Sequence, residues 1–218
     1  MKLSTNTVNV LRNFAGINAN IYIKKGKKLA TMAVAKNIVG EIDVEENFPE
    51  DIGIFNLSEF LGVLSLMDSP EITFDIKSMT IKEGASKIRY GYADPSILVY
   101  PSKTINMPKS DIVFEVTATQ VAQLQKAAST LSVQDIAFVG DGKKVTVQVL
   151  DKKNDSGNNY VMDLDAETSE NFTAFFKIEN LKMISDTYEI TLTKGISQFK
   201  GKGLKVTYYI ALEEDSSF

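Results

Sequence analysis

The pattern that most constrains this 218-residue chain is that its two halves repeat each other. Ser4, Val8, Leu11 and Ala15 recur at a constant offset of 113 as Thr117, Val121, Leu124 and Ala128. A Gly-Lys-Lys follows each set, at Gly26-Lys27-Lys28 and Gly142-Lys143-Lys144, between strand-like runs as a hairpin turn would be. Near the end of each half, residues 71–93 align without gaps on residues 189–211. The alignment keeps Glu-Ile-Thr, two Lys, one Tyr and the closing Ala. Three matches in the same order imply a duplicated domain.

Between the halves lies a proline-punctuated stretch, residues 94–110, with Pro95, Pro101 and Pro108. Proline fixes φ and donates no backbone hydrogen bond, so this stretch reads as extended and outside any central strand. The expected domains are therefore residues 1–109, with the connector at 94–109, and residues 110–218. The first half carries 13 basic and 12 acidic residues and the second 11 and 16, so the acidity belongs to the second half.

Each half has the same coarse pattern. An amphipathic helix comes first, at 5–15 and 118–129, with apolar residues at i, i+3 and i+7. Thr117 with Gln120 fits a capping box, as does the looser Asn56 with Glu59. Strand-like runs follow at 20–23, 29–35 and 144–150. A second short helix is expected at 57–67 and at 178–185. Strands close each half, 72–76 and 87–93 matched by 189–193 and 205–211. Strands dominate, and the class is α+β, with two similar domains each placing two helices on mostly antiparallel sheets.

Composition narrows the chemistry. There is no Cys, which removes thiolate nucleophiles, disulfides and zinc fingers, and no His, which removes the usual general base and commonest metal ligand. Any enzyme here would run on carboxylates, Lys or Tyr, so no catalytic residue, no metal and no cofactor is expected. Residues 1–14 have no continuous apolar stretch of the kind a secretory leader needs, and no run approaches the ~20 apolar residues of a membrane span. The expectation is a soluble chain that is not secreted.

A tandem pair of such domains resembles the DNA sliding clamps, most closely the T-even-type bacteriophage polymerase processivity factors. The residues that carry the likeness open with Met1-Lys2-Leu3-Ser4, Leu11 and Asn13-Phe14-Ala15. Phe60-Leu61-Gly62 running into Leu64-Ser65-Leu66 and Ala93-Asp94-Pro95-Ser96 continue it. Ala211-Leu212-Glu213, Asp215-Ser216 and Phe218 close it. Tyr208-Tyr209-Ile210-Ala211 before an acidic tail is also similar to the end of the eukaryotic clamp, PCNA. Order and spacing carry the resemblance, and residues 136–175 match only loosely.

The resemblance implies a pseudo-six-fold ring of six domains, hence a homotrimer, with helices lining a hole around double-stranded DNA. Such a protein performs no chemistry. It tethers a replicative DNA polymerase, serves other DNA-tracking proteins, and is opened by an ATP-dependent clamp loader. Late-transcription factors are further implied partners, and the cytoplasm of an infected host cell is the implied location. Helical-wheel placement on this layout puts Val8 and Leu11 inward, Asn6, Asn9 and Asn13 outward, and Arg12 at the flank. On the later helices it exposes Thr119, Gln123, Lys126 and Lys182, with Lys177 just before the last. The DNA-facing cations are then Arg12, Lys126, Lys177 and Lys182, a sparse lining suited to phosphate contact without base readout. Ordinary solvated helix faces would carry the same residues.

Asp163, Asp165, Glu167 and Glu170 form the acidic cluster that most resembles a metal site. A two-metal nuclease needs such carboxylates, but nothing else in the sequence supports one. Strand alternation puts Asp163 and Asp165 on one face, and the resemblance makes this strand a subunit edge. It would meet the strand at 87–92 of the next chain, where Lys87 and Arg89 share a face; a solvated loop is the plainer alternative. The apolar run Ile97-Leu98-Val99-Tyr100 is unusual in a proline-rich connector. By position in the resemblance, a partner-peptide pocket would include Met32, Lys36, Val99, Tyr209, Ala211 and Leu212, all of which could equally be core.

Two weaker motifs fail. Residues 195–203 have five residues before Gly-Lys and no following Ser or Thr, so they are not a phosphate loop. Residues 151–157 miss calcium-loop spacing. Both read as hairpin turns. The competing assignment for the whole chain is a β-rich structural or virion-assembly protein that oligomerises through its sheet edges.

Overall fold

The computed structural model describes residues 1–154 and 156–218, and the chain divides into two compact units, Met1–Thr104 and Ile105–Phe218. The first unit opens with α1 (Thr5–Ile17). Its buried stripe is Thr7, Val10, Leu11, Phe14 and Ile17, at helical spacing, and each large apolar side chain so buried is worth about 1.5–3 kcal/mol. Val8 lies only half-buried, so the stripe is rotated from the expected one and Arg12 sits within the exposed face beside Asn9. Ser4 caps the helix by accepting from the Thr7 N–H.

Short strands β1 (Ile21–Ile23) and β4 (Ile52–Ile54) pair antiparallel, and β2 (Gly26–Met32) pairs with β3 (Ile38–Phe48). Because β1 and β2 have different partners, Gly26-Lys27-Lys28 is not a hairpin turn. Gly26, at φ +122°, marks the corner where the chain leaves one pair for the other. Helix α2 (Leu57–Leu64) is capped by the Asn56 side chain, which accepts from the Glu59 N–H. A meander of β5 (Glu71–Asp75), β6 (Ser78–Glu83) and β7 (Ser86–Gly91) closes the sheet work.

In the second unit β8 (Val113–Val116) leads into α3 (Ala118–Leu131), whose Thr117–Gln120 capping box is formed in both directions. Strands β9 (Asp135–Asp141) and β10 (Lys144–Leu150) make the hairpin turned by Gly142 at φ +77°, here as expected. With β11 (Tyr160–Glu167) and β12 (Asn171–Lys177) they form a sheet in the order β11-β10-β9-β12. The turn at 151–157 joins β10 to β11, with Asp155 outside the described residues. Strands β13 (Tyr188–Thr193), β14 (Ile196–Gly201) and β15 (Thr207–Ala211) repeat the first unit's meander, and β8 pairs with β13.

The fourth expected helix, 178–185, is absent. One 3₁₀ turn, Ile178–Asn180, stands there without a side-chain cap. The backbone beyond it is satisfied by side chains rather than by a helical ladder. Gln125 Nε2 donates to the Leu181 carbonyl, the Tyr188 hydroxyl donates to the Ile184 carbonyl at 2.6 Å, and the Ile184 N–H donates to the Tyr208 hydroxyl. Those three contacts satisfy backbone groups that a helix would otherwise pair. The second unit therefore carries one α-helix among its described residues, not two.

The connector also differs in detail. Asp94 caps a 3₁₀ turn at Pro95–Ile97, and of the apolar run only Ile97 is well exposed, at 57%. Leu98 is buried against Gly53, where an added Cβ would lie 3.0 Å from its Cδ1 and 2.3 Å from the Ala93 carbonyl oxygen.

Candidate nucleic-acid and subunit interfaces

The exposed faces of α1 and α3 each carry one charged residue. Arg12 is the only charge on α1; its guanidinium donates to Asn9 at 2.8 Å, with Asn6 exposed nearby. Arg12 and Lys2 border a groove of about 420 Å³ between α1 and the end of α2. Lys126 is the only charge on α3, exposed with Thr119 and Gln123, while Leu124 and Ala128 are buried beneath it. Helix α2 shows Glu59 and Gly62 to the outside. Lys182 is exposed, but on an irregular segment rather than a helix. Lys177 is half-buried and paired with Asp135 at 2.5 Å, so its charge is already met within the unit.

Subunit contact was expected at two strands, and both lie at sheet edges. Among the described residues, β7 pairs only with β6, and β11 only with β10. On β7, Lys87, Arg89 and Gly91 are exposed while Ile88 and Tyr90 turn toward the sheet's other face, so the exposed face is basic. On β11, Val161, Asp163, Asp165 and Glu167 are exposed and Leu164 is buried, so its exposed face is acidic. Asp163 also meets Lys144 at 2.8 Å, and both groups are more than half exposed. Among the described residues no group of three acidic side chains is placed to hold a metal ion.

The other outer edges of these two sheets are covered. Ile72 of β5 exchanges two backbone hydrogen bonds with Met1, at 2.6 and 2.7 Å. Thr173 of β12 exchanges two with Ser217, both at 2.9 Å, and Glu213 N–H reaches the Phe175 carbonyl. Among the described residues, β7 and β11 are left with their ladder groups unpaired along one side.

The residues suggested for peptide contact divide between the units. In the first, buried Asn18 donates through Nδ2 to the carbonyls of Met32 (2.7 Å) and Val99 (3.0 Å), drawing these half-buried residues together. The Val99 N–H in turn donates to Asn20 Oδ1. The Tyr100 ring packs on Tyr22 with centroids 4.6 Å apart and planes tilted by 34°, and the pKa of the Tyr22 hydroxyl is pushed up to about 12 by donating to Asp51. Lys36 is exposed in the β2–β3 turn with φ +60°. In the second unit Tyr209 is buried and accepts from Gln198 Nε2, whereas Ala211 and Leu212 are half-buried at the end of β15. The sequence reading missed Asn18. Its partners lie 14 and 81 residues away, so no local pattern marks it.

The family model described as DNA polymerase processivity factor matches residues 2–100, and that described as gp45 sliding clamp, C terminal, matches residues 113–214. The sliding clamp of Enterobacteria phage T4 is 32% identical over 100% of this chain and 99% of its own. In fold, PCNA of A. fulgidus, solved with the C-terminal region of FEN-1, superposes with TM-score 0.67 at 15% identity, covering 96% of each chain. The DNA polymerase III subunit beta of Pseudomonas aeruginosa gives TM-score 0.68 at 12% identity, covering 97% of this chain and 63% of that one. The α+β architecture is thus the clamp fold, and the virion-assembly alternative is not favoured. Two family models together spanning nearly the whole sequence, and a relative matched end to end, settle the assignment: this chain belongs to the sliding-clamp family of DNA polymerase processivity factors.

Proposed function

We propose that three copies of this chain close head to tail into a ring around duplex DNA, and that the ring acts by topology rather than by chemistry. The observation that carries this reading is the pair of open edges, β7 basic through Lys87 and Arg89 and β11 acidic through Asp163 and Asp165. Antiparallel pairing of one chain's β7 with the next chain's β11 apposes opposite charges and completes both ladders. Such a contact joins two different surfaces, so it propagates and closes only by rotation. With two domains per chain, three chains give the six-domain ring.

Arg12, Lys126 and Lys182 are then the phosphate contacts, few and separated by amides and hydroxyls; Lys177 contributes less because Asp135 holds it. Weak, non-specific contact lets the ring move along the duplex. A replicative polymerase is the partner, tethered by a short hydrophobic segment for which Met32, Lys36, Val99, Ala211 and Leu212 are the candidate contacts, Tyr209 serving as support. The FEN-1 segment on A. fulgidus PCNA is a precedent for such binding. An ATP-dependent loader opens the ring, and late-transcription factors are further users of the same surface.

Retention on DNA of different topology tests this. After loading with a cognate loader and ATP, the protein stays on nicked circular DNA through a high-salt wash and is lost once the circle is linearised. Equal loss from both forms in salt would identify an ordinary groove binder and overturn the reading.

A further inference from the structure

We infer that residues 213–218 are a strap that keeps β12 from pairing with β12 of a second copy of this chain. The segment runs along the outer edge of β12 and engages its backbone at Thr173 and Phe175. Thr173 exchanges two backbone hydrogen bonds with Ser217, the Glu213 N–H donates to the Phe175 carbonyl, and the Phe175 N–H donates to the Ser216 hydroxyl at 3.0 Å. Lys152 pins the segment from the side, meeting Asp215 at 2.9 Å and Glu213 at 3.4 Å while lying over the Phe175 ring. Phe218 stacks on Phe172, centroids 6.2 Å apart and planes 13° apart. Phe172 lies over Gly140, where any Cβ would fall 2.4 Å from its ring.

The need for a strap follows from charge. A second copy's β7 laid antiparallel on β7 sets Lys87 against Arg89, or either against itself, and β11 on β11 does the same with Asp163 and Asp165. Like charges directly opposite oppose self-pairing at both open edges. β12 has no such guard. Antiparallel self-pairing centred on Ala174 places Thr173 opposite Phe175 and Asn171 opposite Lys177, with no like charges apposed. In that register the N–H and C=O groups of Thr173 and Phe175 now held by residues 213–217 face the second copy as hydrogen-bonded pairs. β12, which lacks this charge protection, is thus covered by the chain's own residues 213–217.

Deleting residues 213–218 tests this, with mass read by sedimentation velocity against the full chain at equal concentration. Because the comparison is with the full chain's own mass, the result does not depend on the ring. A twofold or larger rise in mass, reversed by adding a synthetic peptide of residues 213–218, is expected. The same peptide with Phe218→Ala should need a roughly tenfold higher concentration to reverse it. An unchanged mass would overturn the proposal. If the deleted chain loses its far-ultraviolet circular dichroism, Phe218→Ala in the full chain is measured instead. A rise in mass again supports the strap, and an unchanged mass overturns it.

Discussion

At the start of α1 a distant carboxylate does what a capping box does locally. Glu46 of β3, 8% exposed, accepts from the Ser4 backbone N–H and from the Thr7 hydroxyl, closing both ends of the first turn. Burial alone would raise the Glu46 carboxyl, but the hydrogen bonds from Thr7 and Ser4 together outweigh it and hold the group below the usual carboxylate range. A carboxyl lowered on folding stabilises in full above its unfolded value, about 4.3, and that stabilisation fades as pH falls through the lowered one. Glu46→Ala should therefore cost about 1–3 kcal/mol at pH 7. In urea titrations the difference from the parent chain should shrink below pH 4, and a pH-independent difference would contradict this account. Asn18→Ala should reduce polymerase stimulation, because the Met32 and Val99 carbonyls lose their shared donor. Neither residue was legible in the sequence, since each acts across more than a dozen positions with no periodic or motif signal.

Among the elements, what was legible is what is local. Asn56 and Thr117 were readable as caps because a cap and the N–H that donates to it lie within three residues, and they cap α2 and α3. Residues 144–150 alternate so regularly that their strand is read to the residue, with Val145, Val147 and Val149 inward. The repeat of 71–93 at 189–211 is realised as one meander built twice, although β15 begins two residues later than expected. The failure at 178–185 is equally physical: Leu181 and Ile184 lie three apart as on a helix, but Gln125, Tyr188 and Tyr208 from three other elements take the backbone groups. Tyr188→Phe should thus cost about 1 kcal/mol, by leaving the Ile184 carbonyl unpaired, with no change in helix content by circular dichroism. Thr117→Ala should cost about 1 kcal/mol as well, but with fraying of α3 visible in amide exchange.

For the whole molecule, edge chemistry organises the account. β5 and β12 are covered, and β7 and β11 are open with opposite charge, the asymmetry on which the proposed pairing of copies rests. The charges on 87–89 and 163–165 were visible in the sequence; that the outer edges of β5 and β12 are covered was not, because it depends on where Met1 and residues 213–217 return in space. Asp163→Lys with Asp165→Lys should lower the assembled mass, and adding Lys87→Glu with Arg89→Glu should restore it. Failure of the first change to lower the mass would exclude this pairing. Arg12→Ala with Lys126→Ala should leave the mass unaltered while flattening the salt dependence of DNA binding.

The central claim is that two domains per chain close into a six-domain ring, and light scattering across a dilution series tests it most directly. The account predicts a plateau near three times the 24.1 kDa chain mass, falling only at high dilution. A mass that stays at that of one chain at the highest concentration would contradict it, because two domains alone encircle nothing.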